Sequence, residues 1–248
     1  MDKYGLIGFP LGHSFSKGFF NEKFHTENID AEYTNYELPS IENFLDVVHH
    51  TPNLKGLNVT IPYKQQIIPF LDALNEDAKE IGAVNVIKFV HQPEGKVLLI
   101  GYNSDIIGFT QSLKPLLQPI HRKALILGTG GASKAVFYGL KKLGIESLFV
   151  SREKKGTETL TYNELTPEII NNHNIIINTT PVGMFPHVDA CPPIPYEYLT
   201  SNHLLYDLTY NPDETLFMKR GKQQGATVKN GLEMLLLQAL AAWEIWQQ

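Results

Sequence analysis

Ala124-Leu125-Ile126-Leu127-Gly128-Thr129-Gly130-Gly131-Ala132-Ser133 carries the strongest architectural signal in the chain. Four apolar residues in a row, without polar alternation, mark a short strand buried on both faces, as in a parallel sheet covered by helices. The glycines end the strand, and Ser133–Leu143 reads as a helix closed by Gly144. In a strand–turn–helix setting Gly128 permits the tight turn and Gly130 lets backbone approach a pyrophosphate. The first amides of the helix, from Gly131 on, can then bind the anion. The usual third glycine position holds Ser133, still small enough for close helix packing. A glycine turn of purely structural use is the competing reading.

Working outward, strands are expected at residues 147–150, 174–177, 203–206 and, shorter, 226–228. That βαβ rhythm is the pattern of an open nucleotide-binding sheet. Ser151 and Arg152 follow the second strand. A site for NAD wants Asp or Glu here to accept from the ribose 2′-hydroxyl, whereas Arg152 offers a guanidinium to a 2′-phosphate. NADP is therefore the preferred cofactor. Lys154 and Lys155 add positive charge, Glu153 opposes the phosphate, and a solvated charged loop over 152–155 is the alternative.

The first half also alternates strand and helix. Strands are expected at 4–9, 32–36, 54–59, 83–90 and 97–102, the last two as an antiparallel edge pair around a turn at 91–95. Ser14 or Ser16 caps a helix that turns Phe15, Phe19, Phe20 and Phe24 inward, and Ser40 caps a helix to His49. Pro62 stops the third strand and is placed to open a helix. Residues 104–117 read as a helix, with a domain junction within 103–120. Residues 231–246 form the clearest helix, with Leu232, Leu235, Leu236, Ala239, Leu240 and Trp243 at spacings of 3–4.

The 248 residues suffice for one large domain or two modest ones. A formal net charge of -5 argues against a nucleic-acid partner. One cysteine, Cys191, excludes an internal disulfide framework and suits a reducing compartment. No stretch approaches the roughly 18–20 apolar residues that span a bilayer, and the start lacks a leader's apolar run, so a cytoplasmic protein without a membrane partner is expected. No metal-binding spacing is present; a monomer or a homodimer is expected.

Chemistry concentrates at Asn58-Val59-Thr60-Ile61-Pro62-Tyr63-Lys64. An apolar strand delivers Asn58 and Thr60 to its end, and the proline corner holds Lys64 on a rigid turn. Taken by itself Lys64 also fits a solvated lysine. Asp105 stands at a helix start, where the helix dipole alone would favour it; the functional reading pairs it with Lys64. Hydride addition to a ketone builds alkoxide charge, which a placed lysine stabilises and protonates. Ser14 and Ser16 are candidate donors to a substrate carboxylate. Asn85, on an otherwise apolar stretch, needs a partner if buried. Gln238 is polar beside the apolar stripe of the last helix and shares a face with Gly231.

Together these residues resemble the shikimate dehydrogenases of aromatic amino-acid and chorismate biosynthesis. The resemblance runs through residues 5–16, 58–64, 82–85, 101–105, 128–133, 178–184, 207–212 and 231–238. It implies two α/β domains, a substrate-binding and catalytic one (residues 1–105 plus about 232–248) and a Rossmann-like NADP-binding one (106–231), with the last helix returning to the first. It implies NADP-dependent, reversible reduction of 3-dehydroshikimate to shikimate, with Lys64 and Asp105 catalytic. Ser14, Ser16, Asn58, Thr60, Asn85, Tyr210 and Gln238 match substrate-binding positions. Gly128, Gly130, Gly131 and Ala132 match the pyrophosphate loop. Ser151 and Arg152 match the 2′-phosphate side, and Thr179, Met184 and Gly231 the stretches near the nicotinamide. Where NADP-using members commonly carry Asn-Arg-Thr, this chain has Ser151-Arg152-Glu153. A quinate-preferring, NAD-using relative and a non-catalytic regulator on the same fold are the two rival readings.

Overall fold

The computed structural model describes every residue except 13, 94, 155, 157 and 158. The chain divides into two units, Met1–Ser104 with Ala239–Gln248, and Asp105–Gln238. The first contains β1 (Asp2–Gly8), α1 (Phe15–Thr26), β2 (Ala31–Glu37), α2 (Phe44–His50), β3 (Leu54–Val59), β4 (Ala73–Leu74), α3 (Glu76–Ile81), β5 (Val86–His91) and β6 (Val97–Tyr102). Its sheet has the order β2-β1-β3-β5-β6-β4. β1 runs parallel to β2 and β3, while β3–β5 and β5–β6 are antiparallel. The expected pair β5–β6 forms, but it is not the edge: β4 lies outside β6, parallel to it. A strand of two residues leaves no periodicity for sequence reading to find.

Side chains alternate across this sheet, as the period of two requires. Ile7, Leu57 and Ile87 enter one apolar cluster with Phe44 and Tyr63. Their neighbours Leu6 and Val86 enter another with Tyr4, Phe20, Phe24 and Tyr33. Phe20 and Phe24 are buried, whereas Phe15 and Phe19 are half-exposed, because a helix of twelve residues lays only part of its circumference on the sheet. Ser14 Oγ accepts from Lys17 N at 3.2 Å and caps α1. Ser40 does not cap a helix; its hydroxyl turns to Glu42, and the chain begins with a 3₁₀ turn over Ile41–Asn43 before α2.

The helix expected from Pro62 is absent. Residues 61–67 form successive turns that end in a 3₁₀ turn, Ile68–Phe70. Pro69 explains the difference: inside an α-helix its ring would clash with the carbonyl four residues back. Burial of Tyr63 (3% exposed) and Ile67 (0%) fixes the segment instead.

The second unit contains α4 (Asp105–Leu113), β7 (Lys123–Leu127), α5 (Gly131–Lys142), β8 (Glu146–Ser151), β9 (Thr159–Thr161), α6 (Pro167–Asn172), β10 (Ile175–Asn178), β11 (Leu204–Asp207), α7 (Leu216–Gln223), β12 (Thr227–Lys229) and the start of α8 (Leu232–Gln247). The sheet order is β12-β11-β10-β7-β8-β9, every neighbour parallel. This is the doubly wound Rossmann order, whose direction of winding reverses between β7 and β10. Leu125, Leu127, Ile176 and Leu205 pack on one face, and Ala124, Ile126, Ile175, Ile177 and Tyr206 on the other. α4 stops at Leu113 rather than Leu117, because Pro115 draws the chain into a 3₁₀ turn over Lys114–Leu116.

α8 contributes to both units. Met234 joins the core of the second. The segment from Ala239 onward belongs to the first, where Trp246 Nε1 donates to Ile87 O at 3.1 Å and Tyr4 packs on both tryptophans. Gly56 makes room for that indole: a Cβ there would sit 2.2 Å from Trp246 Nε1.

Candidate functional site

In the second unit the carboxyl ends of β7, β8 and β10 surround a cavity of about 520 Å³. Gly128, Thr129 and Gly130 line it after β7, Ser151, Arg152 and Glu153 after β8, and Thr179–Val182 after β10, with Tyr162 and Pro193 completing the wall. It lies at the point where the strand order reverses, the position at which open α/β sheets bind ligands.

Gly128 has φ +110, a conformation that side chains disfavour, and a Cβ there would come within 2.8 Å of Thr179 Oγ1. Thr179 Oγ1 donates to Leu127 O at 2.7 Å, so the turn after β7 and the end of β10 hold each other. A Cβ on Gly130 or Gly131 would meet nothing within 4 Å, leaving open space in front of the amides that begin α5. Ser133 is buried and its hydroxyl donates to Gly130 O at 2.6 Å, tying the helix to the loop. A helix of twelve residues opening onto a glycine cradle fits the pyrophosphate of a dinucleotide.

Arg152 is exposed and is the one cation among the described residues lining the cavity. Lys154 is directed elsewhere: its Nζ lies 2.9 Å from Glu164 Oε1. Glu164 Oε2 accepts from Thr161 N at 2.7 Å and from Thr161 Oγ1 at 3.0 Å in a capping box. Those bonds, the backbone one foremost, and the Lys154 ammonium hold the Glu164 carboxyl down to about 2. The same turn presents Tyr162 to the cavity, where burial raises the phenol against the opposing pull of Arg152. Lys155 lies outside the described residues.

The first unit carries a polar chain through its sheet. Ser16 bonds the Tyr33 hydroxyl, whose complete burial pushes the phenol well above its ordinary range. Tyr33 OH donates to Asn58 Oδ1 at 2.7 Å, and Asn58 Nδ2 donates to Asn85 O at 3.2 Å. Asn85 Nδ2 donates to Ser104 Oγ at 3.0 Å, and its Oδ1 accepts from Ser104 N at 2.6 Å. Asn58, Asn85 and Ser104 are all buried, so each bond is made away from competing water. Thr60 follows β3, its N–H bonded to Ile7 O at 2.9 Å, and a Cβ on Gly8 would come 2.5 Å from Thr60 Cγ2. Lys64 is half-buried on the turn between Tyr63 and Ile67, with its carbonyl accepting from Val84 N at 2.7 Å. The backbone beneath this lysine is anchored on both sides by core residues.

Residues 6–87 match the family model of the shikimate dehydrogenase substrate binding domain. The chain is 38% identical over 260 residues to the shikimate dehydrogenase (NADP(+)) of Methanosphaera stadtmanae, covering 98% of this chain and 90% of that protein. The chain belongs to the shikimate dehydrogenase family. Its fold is similar to shikimate 5-dehydrogenase from Listeria monocytogenes solved with shikimate and NAD, at TM-score 0.87 and 28% identity over 100% of this chain and 92% of that one. It is also similar to the Thermus thermophilus enzyme solved with NADP(H) and shikimate, at TM-score 0.85 and 29% identity over 99% and 93%.

For a member of the shikimate dehydrogenase family, the residues read from sequence divide as follows. Gly128, Gly130, Ser151, Arg152 and Thr179 meet at one cavity; Gly131, Ala132, Met184 and Gly231 are not among its lining residues. Met184 is largely exposed on a loop where Gly183 takes φ +93. Gly231 is locked against the end of β11, its N–H bonded to Thr209 O and a Cβ there 2.0 Å from Leu208 O. Asp105 is buried at the start of α4, Tyr210 is 43% exposed beyond β11, and Gln238 Nε2 donates to Leu235 O at 2.9 Å. Ser16, Asn58 and Asn85 join one hydrogen-bonded chain, while Ser14 caps α1. Tyr33, Ser104, Tyr162 and Asp207 escape the sequence reading. Only Asp207 left a signal: a carboxylate directly after the apolar residues 204–206, where burial obliges it to find donors.

Proposed function

We propose that the chain catalyses the reversible NADP-linked interconversion of shikimate and 3-dehydroshikimate, with Lys64 and Asp105 as its catalytic residues. The observation that carries this reading is the open glycine cradle at the sheet's switch point, with Arg152 on its wall. Bound NADP supplies hydride acceptance, and NADPH its return. Gly128, Gly130 and the first amides of α5 would hold the pyrophosphate, and Arg152 the 2′-phosphate. Ser14 donates to the substrate carboxylate, as does Ser16 once its hydroxyl turns from Tyr33, while Asn58, Thr60, Asn85, Tyr210 and Gln238 direct its hydroxyls.

As a hydride leaves the carbinol carbon of shikimate, the hydroxyl proton passes to Lys64 and the C–O bond becomes a carbonyl. In reduction Lys64 returns that proton to the forming alkoxide, and Asp105 orients the lysine and holds the hydroxyl in register. A panel of shikimate and quinate with NADP and NAD, read by absorbance of the reduced nicotinamide, tests the proposal. Turnover of shikimate with NADP above the other three pairs is expected. A second reading, use of NAD, draws on Glu153 in the cavity wall and on Lys154 being held by Glu164. A tenfold advantage for quinate with NAD would overturn both the substrate and the cofactor.

A further inference from the structure

We infer that Asp207 is a positioning residue for the cofactor, acting through Asn178 to set the cavity wall at Thr179–Val182. The inference rests on reading the cavity as the dinucleotide site. Asp207 ends β11 and is completely buried. No cation accompanies it among its described partners, and all of these are hydrogen-bond donors. Its Oδ1 accepts from Asn178 Nδ2 at 3.1 Å and from Thr209 N at 3.0 Å; its Oδ2 accepts from Thr215 Oγ1 at 2.7 Å. Burial raises the carboxyl's pKa, and these donors oppose the rise.

An acceptor at this place fixes which way the Asn178 amide points. With its nitrogen committed to Asp207 and, at 3.3 Å, to Val182 O, its oxygen faces the loop. There it accepts from Thr180 N at 3.1 Å and Thr180 Oγ1 at 2.6 Å. Thr180 Oγ1 in turn accepts from Val182 N at 3.3 Å. Thr180, Pro181 and Val182 all line the cavity, whereas Asp207 does not. The wall is therefore shaped by a chain of donors and acceptors whose sense starts at a buried carboxylate. Were the amide reversed, its nitrogen would meet Thr180 N and its oxygen both Asp207 and Val182 O, three repulsive contacts in place of three bonds. Asp207 serves two further joints: Thr215 also caps α7 through Met218 N, and Thr209 also accepts from Gly231 N. Three segments meeting the same end of the sheet thus share one anchor.

The test uses the full chain and the variants Asp207→Ala, Asp207→Asn and Thr180→Val, with Asp207→Ala and Thr180→Val also combined. NADP+ affinity is measured by isothermal titration, shikimate affinity separately, and folding by urea unfolding. Asp207→Ala leaves Asn178 Nδ2 and Thr209 N without their acceptor and frees the Asn178 amide to turn. For it the expected result is NADP+ binding weakened about 5- to 30-fold, shikimate binding within about twofold of wild type, and a double variant no weaker than the worse single one. Asp207→Asn keeps a carbonyl oxygen facing Asn178 Nδ2 and Thr209 N while its amide donates to Thr215, whose hydroxyl can rotate to accept, so its NADP+ affinity should stay within about threefold of wild type. Additive losses in the double variant, or equal losses for NADP+ and shikimate, would show general destabilisation and overturn the inference. So would unchanged NADP+ affinity in folded Asp207→Ala. Failure of the wild type to bind NADP+ would instead refute the dinucleotide reading itself. If Asp207→Ala does not fold, Asn178→Asp, which keeps the oxygen facing Thr180 but opposes Asp207, must weaken NADP+ at least tenfold for the inference to stand.

Discussion

The two sheets bury the same kinds of apolar side chain but place their polar groups differently. In the first unit a polar chain, Tyr33–Asn58–Asn85–Ser104, runs from strand to strand within the buried layer. In the second, β7 is apolar after Lys123 and β10 and β11 are apolar until their last residues, and polar chemistry begins at the carboxyl edge with the turn at Gly128, with Asn178 and with Asp207. The first sheet carries hydrogen-bonding side chains within its buried layer. A parallel sheet covered on both faces offers mainly its edge, where loop amides and helix starts do the binding.

The largest expected effect breaks this comparison on the first side. Lys64→Ala should lower kcat by about 10²–10⁴-fold, the scale of a positioned proton-transfer group, with shikimate affinity changed far less. Steady-state kinetics beside direct titration would show it; lost affinity with turnover intact would make the lysine a binding group. On the second side, Gly128→Ala places a Cβ 2.8 Å from Thr179 Oγ1 at φ +110. NADP+ affinity should fall about tenfold or more while shikimate affinity holds, because left-handed backbone strain costs about 1–2 kcal/mol before any clash. Arg152→Ala sharpens the same side: NADP+ should weaken by about tenfold and NAD+ hardly at all, and calorimetry reads both. Equal effects on the two cofactors would remove the 2′-phosphate assignment.

Acid should separate the units as well. His121 and His173 lie buried in the second unit, and burial lowers both imidazole pKa values in the folded state. The unfolded chain then binds more protons, so stability is fully present above about pH 6.5 and falls as pH drops below it toward the folded values. The described histidines of the first unit, at 25, 49, 50 and 91, are all exposed. Hydrogen exchange followed from neutral to mildly acid pH should show second-unit amides losing protection first. Both tryptophans belong to the first unit, so their fluorescence should respond later. The smallest effect belongs to the exposed Lys154–Glu164 pair: Lys154→Ala should leave the midpoint of urea unfolding almost unchanged.

Much is legible in the sequence alone. Gly128-Thr129-Gly130-Gly131 predicted a strand–turn–helix, and β7 and α5 flank it within two residues of the expected bounds. β5 and β6 paired as expected because two six-residue segments rich in branched and aromatic residues around a short turn favour a hairpin. The misreadings fall where long-range burial overrides local signals. Pro62 invited a helix, but Tyr63 and Ile67 are drawn into the core and Pro69 forbids the continuation. β4, β9, α6 and α7 are short, and their patterns span too few residues to separate from loops.

The sequence by itself determined the doubly wound half, the glycine cradle, Arg152 beyond the second strand and the family, because each is written in contiguous residues whose backbone preferences are local. Tertiary structure alone decided that Lys154 turns to Glu164, that Tyr33 completes the chain to Asn58, and that Asp207 grips Asn178 across 29 positions. Those choices depend on which buried donor finds an acceptor once water is excluded, and that pairing exists only after distant strands have come side by side.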